Sequence, residues 1–459
     1  MNIIIVGAGT VGSSLAEYFS GMHYQIAFIE QNEALCDQIT SKHDIFVVQG
    51  KGSSPAALES AGVRTADMLI AVTPSDETNL LACSFAMQYG VQKRIARITS
   101  DIFTKNSSID LKQLGVTTVI EPEWEVVSKI LQYVELPGVI ETANFQSGNI
   151  YLRGCRVTED MPIANKTLLE INQMSKTSPM LIVVITREGK SLSPVGDQRL
   201  LPGDKIVTIM PKTSFKDFRT LINRKAAKLG KIVVSGESLT AIHLAAALKP
   251  LGEKVMLVDP DPKHGQIAAS ELEGVEVVHG DCTDSDTLQE LNIERADCFI
   301  AASKDSEDNI MSCLLAKNSG AGMVIALRND DRYMGLFDSL GIDYVVNPRD
   351  ITSNMIIEKI QMVPIGTYLQ LKTADIEILR LKAAKKSIVV GKSLKQLNKD
   401  FRKSVIIGAI VRENEVIIPW GDIAIEENDE VIAFCRKEHS GWVNKLFGKR
   451  LARRIKADK

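Results

Sequence analysis

Asn2-Ile3-Ile4-Ile5-Val6-Gly7-Ala8-Gly9-Thr10-Val11-Gly12 stands at the start of the sequence, and its reading decides the fold. The apolar run is of the kind that forms a buried parallel strand, and the G-x-G-x-x-G that follows without a gap reads as a tight turn into a helix. In that pattern the first glycine permits the turn, the second lets the backbone approach a pyrophosphate, and the third lets helix and strand pack closely. Free amides at the helix N-terminus then face an anion. A second apolar run, Tyr24-Gln25-Ile26-Ala27-Phe28-Ile29, ends in Glu30, at the distance past Gly12 where the pattern keeps its acid. A carboxylate there can accept both hydroxyls of an adenosine ribose, and its charge would repel a 2′-phosphate.

Strand and helix alternate from there onward. Asp44 to Gln49 reads as a third strand, Ala66 to Thr73 as a fourth, Arg94 to Ile98 as a fifth and Thr117 to Ile120 as a sixth. Six strands with intervening helices predict an α/β fold, a doubly wound parallel sheet of the Rossmann type. Ligands of such sheets sit beyond the carboxyl ends of the strands. That rule places Gly50-Lys51-Gly52-Ser53 and Thr73-Pro74 beside the pocket. Arg97, in the fifth strand, has a fork that suits a phosphate or a carboxylate in a subunit interface. Asp76, Glu77, Glu307 and Asp308 open helices and are expected to cap them.

The sequence then repeats itself. Ile232-Val233-Val234-Ser235-Gly236 answers Ile4 to Gly7, and Ala296 to Ser303 answers Ala66 to Thr73. Asp305 to Asn309 answers Ser75 to Asn79 in the same register. This is a tandem duplication. Each sheet is followed by a helix and then by a smaller α+β module, with apolar strands entering hairpins at Arg187 to Lys190 and Arg412 to Glu415. An amphipathic helix ends each half, carrying Phe215, Phe218, Leu221 and Ile222 in one case and Val443, Leu446 and Phe447 in the other. The expected domains are 1–137 and 231–364 for the two sheets, 138–223 and 365–448 for the two modules, and 449–459 for a basic tail. Arg224 to Lys231 reads as a basic linker. The tail is either a solvated helix end or a contact for an anionic lipid surface.

The second half relaxes the chemistry of the first. Gly236-Glu237-Ser238-Leu239-Thr240-Ala241 keeps one glycine of three. Ser238 puts a side chain where a pyrophosphate comes closest, and Glu237 adds a carboxylate beside the anion site. Asp259 still ends the second strand, as far past Ala241 as Glu30 is past Gly12. A pocket that is weaker, altered in ligand choice or vacant is expected there.

A chain of 459 residues suggests two to four domains, and a net charge of −3 argues against nucleic acid as the main partner. No apolar run is long enough for a membrane span, and Met1 leads directly into a strand, so neither a span nor a signal peptide is expected. Seven cysteines form no C-x-x-C pair and are expected as buried thiols. No metal site is expected from the scattered histidines. A hydride-transfer enzyme needs an acid or base near the nicotinamide, and a P-loop ATPase needs G-x-x-x-x-G-K-[ST]; neither pattern is legible, so no catalytic residue is assigned. The rival reading is a soluble NAD-dependent oxidoreductase whose small modules bind substrate.

Gly7 to Gly12, Val47-Val48-Gln49-Gly50, Ala66 to Thr73, Ser75 to Asn79 and Arg94 to Ile98 together closely resemble the TrkA family, the peripheral cytoplasmic subunits of bacterial Trk potassium uptake systems. Each half resembles one RCK (or KTN) domain plus its TrkA C-terminal module. The resemblance implies a homo-oligomeric ring beneath an integral membrane potassium translocating subunit, gating it according to bound NAD(H) or ATP/ADP. Nucleotide contacts carried over from it fall on Gly7, Ala8, Gly9, Thr10, Val11 and Gly12, on Glu30, on Thr73 and Pro74, and on Arg97. Those on Gly236, Glu237, Ser238, Leu239, Thr240 and Asp259 are put in doubt by the departures at Ser238 and Ala241. A regulator of a different cation transporter fits the same residues.

Overall fold

The computed structural model describes all residues except 21–23, 43–44, 105–108, 146–147, 175–177, 224–228, 330–339, 361–364, 371–375, 402–403 and 449–459. The expected basic tail and most of the expected linker lie outside the described residues. The chain forms two compact units, one of Met1–Leu131 with Lys228–Ile360, the other of Gln132–Ala227 with Gln361–Lys459.

In the first unit, β1 (Asn2–Val6), β2 (Gln25–Glu30), β3 (Phe46–Gln49), β4 (Met68–Ala71), β5 (Lys93–Arg97) and β6 (Thr118–Ile120) form one sheet in the order β3-β2-β1-β4-β5-β6. All its pairings are parallel. β1 is central, so both its faces are covered and its residues alternate between two cores. Ile3 and Ile5 pack with Leu15 and Phe19 of the helix Thr10–Ser20. Ile4 and Val6 pack with Leu80 and Cys83 of the helix Asp76–Gln88. That two-sided burial is why the strand reads as an unbroken apolar run.

The chain next builds β7 (Val139–Phe145), β8 (Ile150–Arg156), β9 (Leu181–Arg187), β10 (Lys190–Leu192) and β11 (Lys205–Pro211) of the second unit. It returns to the first with β12 (Leu229–Ser235), β13 (Gly252–Asp259), β14 (Glu276–His279), β15 (Cys298–Ala301), β16 (Met323–Leu327) and β17 (Tyr344–Val346), again in the order β14-β13-β12-β15-β16-β17. Two Rossmann-type sheets thus share one unit. Their trailing helices interlock them: Ile356 and Ile357 of the helix Pro348–Ile360, which follows the second sheet, are buried in the core of the first with Ile3, Phe28 and Ile120. Reciprocally, Trp124 of the helix Pro122–Glu135 stacks on His243 of the second half, ring centroids 4.5 Å apart.

In the second unit β10-β9-β11-β8-β7 form one sheet. β18 (Ile365–Gln370), β19 (Ile376–Lys382), β20 (Val405–Arg412), β21 (Glu415–Ile417) and β22 (Glu430–Arg436) form another, in the order β18-β19-β22-β20-β21. One face of each meets the other around Leu152, Val207, Ile209, Ile378, Ile432 and Phe434. The helices Phe215–Leu221 and Lys437–Phe447 bury the expected Phe218, Val443 and Phe447. Each module also carries an ion pair that joins a hairpin to the turn before the last strand. Arg187 donates from Nε to Asp204 Oδ1 at 2.7 Å and from Nη2 to Oδ2 at 2.8 Å. Arg412 holds Asp429 in the same fork at 2.9 and 2.8 Å. All seven cysteines are buried and free.

Candidate functional site

The three glycines of the first loop are needed for three different reasons. Gly7 has φ +104°, a conformation side chains rarely adopt. A Cβ on Gly12 would lie 2.1 Å from the Gly7 carbonyl oxygen, so the third glycine closes the loop onto the helix. A Cβ on Gly9 would meet nothing within 4 Å among the described residues. The second glycine therefore leaves space that no described residue uses, which is what close approach of a phosphate requires. Ser13 N–H already donates to the Gly9 carbonyl at 2.8 Å, so the helix is wound from its first turn and its N-terminal amides point out of the loop.

Glu30 closes one side. Its Oε2 accepts from the Ala8 amide at 2.7 Å and its Oε1 from the Asn32 amide at 2.9 Å. A carboxylate offers about four lone-pair sites, so two remain for ribose hydroxyls. On the other side Asn79 clasps the ends of β4 and β5. Its Nδ2 donates to the carbonyls of Thr73 (3.0 Å) and Arg97 (2.9 Å), and its Oδ1 accepts from the Thr73 amide (3.0 Å). This fixes Thr73, Pro74 and Arg97 relative to the loop. Arg97 lies 3.8 Å from Glu123, and its buried Nε has no hydrogen-bond partner among the described residues. A guanidinium held so loosely in a cleft suits an anionic ligand. The capping expected of Asp76, Glu77, Glu307 and Asp308 falls instead to Ser75, whose hydroxyl accepts from the Thr78 amide, and to Asp305. Asp76, 7% exposed, braces the amides of Thr99 and Ser100.

The second half keeps this scaffold and fills it with its own groups. Asn309 reproduces the clasp, donating to the carbonyls of Ser303 and Leu327 at 3.0 Å each. At the loop, Ser238 N-caps the helix Leu239–Leu248: its hydroxyl accepts from the Ala241 amide at 3.1 Å and donates to the Ala302 carbonyl at 2.5 Å. The position left open at Gly9 is here occupied by a side chain that satisfies the helix end. Asp259 is fully buried; one oxygen accepts from the Asp261 amide at 2.8 Å and the other bonds His264 Nδ1. The ribose-binding role expected of Asp259 therefore has no open carboxylate behind it. Leu327 stands where the first half has Arg97.

Both loops border one cleft of about 720 Å³, within the range of small-molecule sites. Of the expected residues, Gly7, Gly9, Thr10, Val11 and Glu30 line it, as do Thr73, Pro74 and Arg97. From the second half, Ser238, Leu239 and Thr240 line it, whereas Gly236, Glu237 and Asp259 do not. Ala8 and Gly12 shape the loop from behind. The cleft also takes Glu123, Lys304 and Arg349, which the sequence reading missed. Lys304 answers Pro74 in the register of the duplication, so the repeat was the available signal. Basic groups from both halves thus line the same cleft as the open glycine loop, with Glu30 and Arg97 on strands to either side of β1. The arrangement can hold an anion flanked by a polyhydroxy group.

The family model of the TrkA-N domain matches residues 3–122 and again 232–348, and that of the TrkA-C domain matches 378–448. The chain is 29% identical to the Trk system potassium uptake protein TrkA of Azorhizobium caulinodans, over 97% of this chain and 98% of that one. It is 29% identical to a TrkA homolog of Archaeoglobus fulgidus, over 97% of this chain and all of that one. Among solved structures, the GsuK RCK domain superposes with a TM-score of 0.62 at 18% identity, covering 97% of this chain and 94% of that one. The GsuK channel bound to NAD superposes with a TM-score of 0.63 at 18% identity, covering 97% and 78%. These two show the fold. With the TrkA-N domain present twice, in register with the duplication and over more than half of the sequence, the chain belongs to the TrkA family.

Proposed function

We propose that this chain is a nucleotide-binding regulatory subunit of a potassium uptake system, reading NAD(H), ATP or ADP without transforming it. The observation that carries the reading is the loop at Gly9: an unfilled approach to a helix N-terminus, with Glu30 on one side and the Arg97 Nε, unpartnered among the described residues, on the other. Phosphates belong over Gly9 and Thr10, the adenosine ribose against Glu30, and Arg97 beside the remaining negative charge. The expected contacts at Thr73 and Pro74 form the wall beneath. The potassium connection rests on family membership and on the relatives' names.

No helix among the described residues is long and apolar enough to cross a membrane. Action on ion flux then requires an integral membrane partner, a translocating subunit, with this chain peripheral on the cytoplasmic face. A homo-oligomeric ring is the arrangement in which several such sites act on one partner. The expected domain limits, 1–137, 138–223, 231–364 and 365–448, are proposed as the units of that ring. The test is co-purification from membranes followed by reconstitution. Potassium flux through the accompanying integral protein should change when NADH, NAD, ATP or ADP is added, and the change should vanish with a loop variant. Steady consumption of NADH with a carbonyl substrate would instead favour the oxidoreductase, and flux of another cation would favour a different transporter.

A further inference from the structure

The second unit contains a cavity of about 190 Å³ in its first module, between the sheet and the helices Leu168–Met174 and Phe215–Leu221. Its walls are largely apolar: Ile171, Met180, Ile182 and Ile206, with Phe218 and Ile222 among those from the C-terminal helix and the residue after it. No charged residue lines it among the described residues. Two polar side chains line it, Asn172 and Thr208, and Thr208 is the buried one. Thr208 is 1% exposed, and its hydroxyl has no hydrogen-bond partner among the described residues. It sits at a bulge, where β11 shifts register against β9 between Val207 and Thr208. Bulges commonly re-aim a side chain, and a buried hydroxyl without a partner is costly unless something visits it.

The duplication supplies an internal control. In the register that sets Arg412 on Arg187, Thr208 becomes Ala433 and Ile222 becomes Phe447. In the second module Ala433, Phe447 and Phe401 belong to one core, each at 3% exposure or less. On this helix the ring changes position between the copies: Phe218 of the first module answers Val443, and Phe447 of the second answers Ile222. With the ring at Phe218 and Ile222 after it, the first module has the cavity, and Thr208 lines it where the second has Ala433. At the rim, Leu169 and Trp420 are 58% and 49% exposed, although both are large apolar side chains.

We infer that this cavity is a ligand site for a small uncharged amphiphile, an apolar body of about ten heavy atoms carrying one N–H or O–H that pairs with Thr208. An apolar cavity of about 150 Å³ is known to accept benzene, so the space suffices for a bicyclic ring or a short chain. The absence of lining charge among the described residues rules out ionic heads, whose burial here would be uncompensated. The site lies in the second unit and is separate from the nucleotide cleft; its failure would leave that reading untouched.

The test is calorimetric titration of the full chain with indole and with benzothiophene, which has nearly the same shape and no N–H. Indole should bind saturably and about fivefold more tightly, the gain of one neutral hydrogen bond. Thr208→Val should abolish the preference, and Thr208→Ser should keep it. Ile222→Phe, which adds a second ring beside Phe218 in the cavity wall, should abolish binding of both probes. Circular dichroism melts establish that each variant is folded; if Thr208→Val is not, Thr208→Ser and Ile222→Phe decide. Absence of saturable heat with either probe in the unaltered chain would overturn the assignment. So would binding that survives Ile222→Phe, or an indole preference that persists in folded Thr208→Val.

Discussion

Replacing Gly9 by alanine separates what the glycine loop does for the fold from what it does for a ligand. A methyl at this position meets no described protein atom within 4 Å, and Gly9 is not among the residues with positive φ. The native conformation is open to alanine, so the substitution should stabilise slightly through the unfolded state, by about 0.4–1 kcal/mol. For a unit of this size that is a rise in melting temperature of about 1–2 °C. The same methyl occupies the space through which a pyrophosphate reaches the loop amides. Displacing the phosphates weakens at least one or two charge-assisted hydrogen bonds of about 1.5–3 kcal/mol each, so affinity should fall by about a hundredfold. The assay is a titration monitored by NADH fluorescence and, for ADP, by calorimetry, paired with thermal melts. Gly12→Ala is the contrast: its Cβ would lie 2.1 Å from the Gly7 oxygen, so it should lower the melting temperature as well as affinity. If Gly9→Ala bound NADH and ADP within threefold of the unaltered chain, the open space would not be a phosphate site.

Glu30→Gln keeps the shape of the side chain and removes its charge, so NAD should bind about tenfold more weakly while the preference for NAD over NADP narrows; competition titrations measure both. Arg97→Ala should weaken ADP by about ten- to a hundredfold and Arg97→Lys should not restore it, because an ammonium lacks the planar fork. Burial raises the Asp204 carboxyl, but the Arg187 guanidinium and the Leu201 amide outweigh it and hold the group below its ordinary range. Its contribution to stability is therefore complete above the unfolded value near 4 and is lost as pH falls through the lower folded value. Asp204→Asn should cost about 3 kcal/mol at pH 7 and should remove that part of the acid sensitivity, as read from urea melts between pH 3 and 7.

The parts of this molecule that depend on local order were legible in the sequence. β1 and β4 are buried on both faces, so they are written as uninterrupted apolar runs, and the tandem duplication reproduces the six-stranded order in the second half. The open first loop was legible because each glycine has its own steric reason. What the sequence concealed is tertiary. Asp259 stands at the right distance from its loop, yet His264, one turn further on, takes its free oxygen. Arg187 and Asp204 pair from two different strands' ends, and only their joint recurrence at Arg412 and Asp429 hinted at it. Asn79 and Asn309 belong to a recurring sequence motif, but their task, bonding two neighbouring strand ends at once, appears only when those ends are side by side.

The unequal halves also bear on how a ligand could be felt. A ligand of equal affinity for two arrangements shifts nothing, and moving a balance from 1:99 to 99:1 takes a differential of about 5.5 kcal/mol. Contacts with the first half alone, at Gly9 and Glu30, are made on one rigid sheet and its own helix, so they hardly distinguish two arrangements of the repeats. Lys304 and Arg349 differ, since they enter the same cleft from the second half. Arg349 lies in the first turn of the helix Pro348–Ile360, whose Ile356 and Ile357 are buried against the first sheet. A phosphate drawn toward Arg349 pulls on a helix that belongs to one repeat by sequence and to the other by packing. On the proposed reading, the second half, whose Ser238 stands at the place of Gly9 and whose His264 engages Asp259, contributes the groups that make ligand binding sensitive to how the repeats are arranged.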